Sequence, residues 1–133
     1  MHLAPRGDAH SMGDSNPAKT FGHIAHELGR RDIAFLCVRE SLGENRLGPQ
    51  LKKAFGGAYI ANEKFTRATA LQVLQAGEAD AVAFGQVFIA NPDLPRRFAL
   101  DSALNDPNPA TFYAAGPGGY TDYPFLERAV RSA

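Results

Sequence analysis

The sequence predicts an α/β fold in which parallel strands alternate with helices. Two observations support this prediction. Four short apolar runs, near residues 1–5, 33–38, 58–62 and 80–85, have the length and composition of buried strands. Each interval between two of these runs holds one segment with the spacing of an amphipathic helix. The chain is therefore predicted to contain four successive βα units, the pattern of a parallel sheet covered by helices.

The first βα unit starts with a strand over residues 1–5, which ends at the helix-incompatible Pro5. A polar, glycine-containing loop leads to Asn16 and Pro17, a helix cap followed by proline at the first helical position. Gly29 is predicted to stop this helix. The apolar residues that recur along it at helical spacing are Phe21, Ile24, Ala25 and Leu28.

The second and third units repeat this order. The strand over residues 33–38 has no polar interruption, and its helix begins near Pro49 and ends at the Gly56-Gly57 pair. The strand over residues 58–62 leads to a helix capped by Thr66. The residues predicted to share the apolar face of that helix are Ala70, Leu71 and Leu74, with Gly77 just past its end.

The fourth unit carries the first indication of function. The apolar run within residues 80–85 is typical of a strand buried on both faces, and Gly85 ends it. A short helix over residues 87–90 follows, closed by Asn91 and Pro92. A glycine turn that opens a helix exposes backbone N–H groups that attract an anion, so this turn is a candidate phosphate site.

The remainder of the chain is predicted to be one more helix and a long loop. The helix covers residues 95–100, with Leu94 and Phe98 facing inward. Residues 105–119 hold three prolines and three glycines, which excludes a regular element. The aromatic residues in and after this loop have enough area to pack against another surface. They are Phe112, Tyr113, Tyr120, Tyr123 and Phe125.

Composition excludes several classes of protein. The chain has 133 residues and a formal net charge of zero, which gives no electrostatic case for binding nucleic acid or an anionic membrane. The single cysteine, Cys37, is expected to be a buried core thiol and fits a reducing compartment. We find neither a signal peptide nor an apolar run long enough to span a membrane, so the expected location is the cytoplasm.

Two runs of sequence closely resemble the old yellow enzyme family of FMN-dependent ene-reductases. They are A-V-A-F-G-Q-V-F-I-A-N-P-D-L-P, from Ala81, and A-T-F-Y-A-A-G-P-G-G-Y-T-D-Y-P, from Ala110. Weaker similarity covers Ile60-Ala61-Asn62 and residues 1–5. The resemblance implies the C-terminal half of a TIM (βα)8 barrel, four parallel βα units and the family's closing aromatic loop. A complete barrel needs roughly 250 residues, so residues 1–133 are expected to be a single partial domain, truncated or split.

The resemblance also implies cofactor-binding positions at the ends of the last two strands, where the family binds the FMN phosphate. The basic side chain that usually follows A-F-G in the family is Gln86 here. Lys64 stands where the family usually has a glycine, so it can either restore the positive charge or crowd the phosphate. The alternative is that these are plain turn residues. The predicted contacts are Asn62, Glu63, Lys64, Phe84, Gly85 and Gln86.

Two further positions are implied to lie near the flavin. His2 stands in place of a family arginine beside the pyrimidine edge, and a neutral histidine would tune the redox potential less strongly. Its alternative is a frayed terminal residue. Tyr113 corresponds to an aromatic residue that lines the flavin and substrate pocket, or else it packs the C-terminal loop against the barrel.

The family's catalytic residues come from the N-terminal half of its barrel and have no counterpart here, so we predict no catalytic residue and no metal ligand. NAD(P)H is the implied reductant. The chain alone is expected to reduce alkenes poorly and to associate, as a homodimer or with an N-terminal half-barrel chain. The competing hypothesis is a non-catalytic half-barrel scaffold that binds FMN weakly or not at all.

Overall fold

The computed structural model describes residues 1–6 and 13–126. These residues belong to two compact units, the first ending at Ala83 and the second starting at Phe84. Within the described residues, no helix has both the length and the apolarity needed to cross a membrane. The single-domain boundary predicted for the whole chain stays a prediction.

The first unit contains a four-stranded parallel sheet. Its strands are β1 (His2–Leu3), β2 (Phe35–Arg39), β3 (Ala58–Asn62) and β4 (Ala81–Ala83). They lie side by side in chain order, each hydrogen-bonded to the next. One row across the sheet runs through His2, Cys37, Ile60 and Ala81. The predicted arrangement of four neighbouring parallel strands is confirmed.

Three helices connect these strands: α1 (Pro17–Gly29), α2 (Gly48–Phe55) and α3 (Arg67–Gln75). Asn16 caps α1 by accepting the backbone N–H of Lys19, as the sequence predicts. Thr66 caps α3 in a reciprocal arrangement with Thr69. At the far end of α3 the chain turns through Gly77, whose φ of +68° is easily adopted by glycine.

Gly29 has a role that the sequence analysis did not predict. It is the last residue of α1 rather than a left-handed stop, and the following Arg30 is still helical. A Cβ atom at Gly29 would lie 2.1 Å from the backbone oxygen of Phe55, the last residue of α2. The glycine is therefore required because two helices approach closely, a constraint that no local pattern reveals.

The predicted apolar face of α3 is partly wrong. Ala70 is buried as expected, but the other buried residue of this helix is Val73. Leu71 and Leu74 are exposed instead. The prediction of this face depends on spacing alone, and spacing cannot distinguish two apolar stripes that lie side by side on one helix.

The two faces of the sheet differ sharply in burial. The face toward the helices is buried, and its side chains are Leu36, Val38, Tyr59 and Ala61. On the opposite face Phe35 is 45% exposed, and Ala81 is exposed as well. The prediction that the run within residues 80–85 is buried on both faces is therefore wrong for this chain alone, because the described residues cover only one face.

The second unit contains α4 (Gln86–Ala90), α5 (Leu94–Leu100) and a 3₁₀ turn at Pro109–Thr111. Leu94 is buried, as predicted. Phe98 is half-buried and meets the ring of Phe84 edge-on, with centroids 5.2 Å apart. The remaining residues to 126 follow an irregular path that side-chain hydrogen bonds hold in place.

Candidate functional site

The predicted phosphate contacts of the first unit lie at the carboxyl end of β3, beside the end of β2. Asn62, the last residue of β3, donates from its amide to the backbone oxygen of Ala83 at 2.9 Å. Arg39, the last residue of β2, forms an ion pair with the carboxylate of Glu63. Both side chains thus fix the end of one strand to its neighbour.

Glu63 and Lys64 both have positive φ, of +106° and +55°. This region is sterically unfavourable for residues with a Cβ atom and is natural for glycine. The structure therefore gives Lys64 a glycine-type backbone, consistent with the glycine that the family usually has there. The Lys64 side chain is exposed.

These contacts determine what the turn offers to an anion. The Glu63 carboxylate repels a phosphate and is already paired with Arg39, so only the backbone of Glu63 is suited to one. The Asn62 amide is engaged with a carbonyl oxygen. Lys64 supplies the positive charge of this turn.

In the second unit, the chain after Phe84 turns into α4 at Gly85. Gly85 is the N-terminal cap of that helix, with φ −100° and ψ −87°. A Cβ atom there would meet no heavy atom within 4 Å, so neither crowding nor a positive φ explains the glycine. Open space beside an exposed backbone suits a close ligand. The neighbouring Gln86 is exposed and carries no charge.

His2 and Tyr113 occupy contrasting positions. His2 lies in β1, opposite Cys37 of β2, and Cys37 donates its backbone N–H to the oxygen of Met1. The frayed-terminus alternative for His2 is thus not what the structure shows. Tyr113 is 99% exposed, so its ring does not pack the loop against any described part of the chain.

Burial affects the chemistry of two side chains in the first unit. Desolvation raises the pKa of the half-buried Cys37 thiol, so the reactive thiolate is disfavoured. Burial also raises the pKa of Tyr59, and the nearby Glu40 carboxylate adds to this effect. Both groups are neutral near pH 7. Cys37 is only partly buried, so the predicted core thiol is wrong in degree.

Sequence analysis missed the buried charged residues. Glu40, directly after β2, accepts the backbone N–H groups of Leu47 and Gly48 at 2.8 to 2.9 Å and so caps α2. No spacing rule points to a residue that caps from seven positions upstream. Asp93 and Arg97 form a buried ion pair with 2.7 Å between Oδ1 and Nε. Their i,i+4 spacing is typical of an ion pair on one helix and could have predicted this contact.

The described residues contain no group of three or more histidine, cysteine or acidic side chains that could hold a metal ion.

Comparison with known proteins identifies the family, although no family model matches the chain. 12-Oxophytodienoate reductase 2 of Arabidopsis thaliana is 38% identical over 137 residues, which cover 96% of this chain and 36% of that protein. 12-Oxophytodienoate reductase 1 of Oryza sativa is likewise 38% identical, over 138 residues. The old yellow enzyme homologue of Zymomonas mobilis superimposes with a TM-score of 0.88 at 39% identity, over 94% of this chain and 38% of that one. The chain belongs to the old yellow enzyme family.

Other solved members of the old yellow enzyme family agree. Morphinone reductase matches with a TM-score of 0.86 and 39% identity over 94% of this chain and 35% of that chain. A second morphinone reductase structure, in complex with tetrahydroNAD, matches with a TM-score of 0.87 and 41% identity. The match covers 95% of this chain and 35% of that chain. The chain spans a little over a third of the relatives it matches and corresponds to their C-terminal part. Its four parallel βα units are half of a TIM barrel.

Proposed function

We propose that this chain is the C-terminal part of an FMN-linked NAD(P)H oxidoreductase of the old yellow enzyme type, acting on activated alkenes. The observation that carries the proposal is structural. The four parallel βα units match half of the family's barrel, yet the described residues leave one apolar face of the sheet partly exposed. An enzyme pocket needs walls on both sides, and this chain supplies one of them.

The fit to FMN is adequate but electrostatically weak. In its favour are the open space beside Gly85 and the positive charge of Lys64, since backbone N–H groups and a cation are what a phosphate requires. Against it are the neutral Gln86 and the carboxylate of Glu63. When bound, FMN would supply hydride transfer between a nicotinamide and an activated alkene. The proposed contacts of this chain are His2, Asn62, Glu63, Lys64, Phe84, Gly85, Gln86 and Tyr113.

The role of these residues is binding and orientation. Lys64 and the exposed backbone at Gly85 are each proposed as a phosphate contact, and His2 of β1 is proposed as a flavin contact. None of them is suited to protonate an alkene in the family's manner, because the residues that do so lie in the other part of the family's barrel. The chain by itself is therefore proposed to be catalytically incompetent.

The remaining strands must come from elsewhere, in the same polypeptide or another. In the sheet order β1-β2-β3-β4, the outer strands each present one edge without a partner among the described residues. We propose an N-terminal half-barrel as the partner, because the relatives contain nearly two further lengths of this chain. A second copy of the chain is the alternative outcome. A cytoplasmic location is part of the proposal, supported by a chain whose single cysteine precludes an internal disulfide.

The test is FMN binding by the purified chain, measured as quenching of flavin fluorescence, alone and after mixing with the N-terminal part of a relative. We expect weak binding alone and at least tenfold tighter binding in the mixture, with alkene-dependent oxidation of NAD(P)H only in the mixture. Lys64→Gln should weaken binding severalfold. Lys53→Gln removes the same charge from the exposed face of α2 and is the matched control.

The scaffold alternative has one observation in its favour, the neutral Gln86 at the family's usual basic position. It predicts a colourless purified protein whose binding of FMN is weak or absent and does not tighten in the mixture. Restoring the charge with Gln86→Arg separates the two functions further. If the chain is a cofactor-binding half, this substitution should tighten FMN binding, whereas a scaffold without a pocket should not respond.

A further inference from the structure

Within the second unit, the segment after α5 runs away from this helix and returns to it. Arg97, only 5% exposed, stands where its two ends meet. Its Nη1 donates to the backbone oxygen of Ala103 at 2.7 Å, and its Nη2 donates to that of Pro124 at 2.9 Å. One guanidinium group therefore binds backbone oxygens at both ends of the segment.

Asp93 completes this arrangement from the start of α5. Its Oδ1 accepts Nε of Arg97 at 2.7 Å, and its Oδ2 accepts the backbone N–H of Leu126 at 2.8 Å. The hydrogen bond from Arg97 lowers the pKa of the Asp93 carboxyl group, so the pair is ionised at neutral pH. Each of the three guanidinium nitrogens thus donates to an acceptor either at the start of α5 or at an end of the segment.

Two asparagines reinforce the same junction. Asn105 donates from its amide to Pro124 at 2.9 Å and to Ala90 at 2.8 Å. Asn91, which is fully buried, accepts the backbone N–H of Asn105 at 2.7 Å and donates to the oxygen of Val87 at 2.9 Å. The ends of the segment are therefore fixed to α4 as well as to each other.

Between its fixed ends, the segment is a closed loop over residues 106–123. The backbone N–H of Asn108 donates to the hydroxyl of Tyr123 at 2.9 Å, and Thr111 donates from its hydroxyl to the oxygen of Gly119 at 2.8 Å. Compact loops with adjacent ends are often functional. This one presents Tyr113 with its ring fully in solvent.

We propose that Arg97 and Asp93 are positioning residues that clasp the two ends of loop 106–123 and thereby set the place of Tyr113. Arginine is required because only its planar fork can reach the carboxylate and both carbonyl oxygens together. A lysine at position 97 would keep the charge and satisfy one acceptor. The hydrogen bonds of Arg97 and Asp93 described above support the clasp itself. Its importance for the flavin pocket rests on the proposed function.

The first test is amide hydrogen exchange on the full chain with Arg97→Lys. We expect exchange at Asn105 and Leu126, and across loop 106–123, to rise at least tenfold, while α1 of the first unit changes less than twofold. Arg96→Lys is the matched control. Arg96 is the adjacent residue of α5, is exposed, and donates to the oxygen of Leu126 at 3.0 Å. It should accelerate the loop less than threefold.

The result that overturns the clasp is a loop that exchanges as in the wild type in Arg97→Lys, or a uniform rise over the whole chain. The uniform rise would mean that the arginine serves global stability only. If Arg97→Lys does not fold, Asn105→Ala keeps the guanidinium and removes the two hydrogen bonds that the Asn105 amide donates at the same junction, to Pro124 and Ala90. It should accelerate the same loop amides, and unchanged exchange there would count against the proposal.

The second test asks whether the clasp acts on Tyr113. The chain has four tyrosines, so fluorotyrosine labelling gives four fluorine signals, and Tyr113→Phe assigns one of them. With FMN as the probe, the Tyr113 signal should shift in the wild type. In Arg97→Lys that shift should be lost, while FMN affinity changes less than threefold. A retained shift would contradict the positioning role.

These two tests keep the proposals separate. Absence of FMN binding in the wild type and in the completed barrel would refute the proposed function. The exchange data would still decide whether Arg97 and Asp93 hold the loop.

Discussion

The two faces of the β-sheet have similar chemistry and opposite environments. Leu36 and Val38 of β2 are buried under the helices, whereas Phe35 of the same strand lies on the other face and is 45% exposed. Alternate residues of one strand point to opposite faces, so this difference comes from what covers each face and not from local sequence. An apolar face that the described residues leave exposed is the face that the proposed N-terminal half-barrel would cover.

The largest expected effect tests this comparison directly. Leu36→Ala should lower the free energy of unfolding by about 2–5 kcal/mol, because Leu36 is fully buried. Phe35→Ala, one residue away and on the open face, should cost about 1 kcal/mol or less. Urea denaturation of the isolated chain measures both. Equal losses would mean that the open face is covered in solution, for instance by a second copy.

The next effect concerns the covered side, where α1 and α2 meet. Gly29→Ala places a methyl group against the backbone oxygen of Phe55 and should destabilise the chain by about 1–3 kcal/mol. Gly43→Ala is the matched control, since a Cβ atom there meets nothing within 4 Å. Thermal unfolding followed by circular dichroism compares the two. A neutral Gly29→Ala would show that these helices are free to separate.

A smaller effect is expected at Lys64, in the turn that follows β3. Lys64→Gly should stabilise the fold by about 1 kcal/mol, because it removes the Cβ atom from a residue with φ of +55°. Lys64→Ala keeps the Cβ atom and serves as the control. A gain in the melting temperature with glycine but not with alanine is the expected result. Similar melting temperatures for the two would exclude strain at this turn.

The smallest effect uses Cys37 as a reporter on the open face. Desolvation raises its pKa, so the thiolate fraction at a given pH below that value is smaller than in a free thiol. Alkylation should therefore run severalfold slower than for glutathione at pH 8 and should increase as the pH rises further. Adding the N-terminal half-barrel should suppress it. Unchanged labelling in the mixture would argue that the open face stays uncovered.

How much could be predicted differs between the elements. The caps at Asn16 and Thr66 were predictable because a cap is made by residues three apart in the chain. The close approach at Gly29 was not, since its partner Phe55 is distant in sequence. The candidate site shows the same division. The Gly85 turn was predictable from its strand and glycine pattern, and the turn after β3 from the family resemblance, but the Arg39–Glu63 ion pair joins two strand ends and has no local spacing.

The sequence by itself determined the four βα units, the helix caps and, through two long runs of residues, the family. These depend on neighbouring residues, whose hydrophobic periodicity and hydrogen-bonding groups act over a few positions. Only the tertiary structure decided which apolar face is buried, that Lys64 adopts a glycine-type backbone, and that one arginine holds both ends of loop 106–123. Burial and such long-range hydrogen bonds depend on which distant segments share a surface, and that is fixed only when the chain packs.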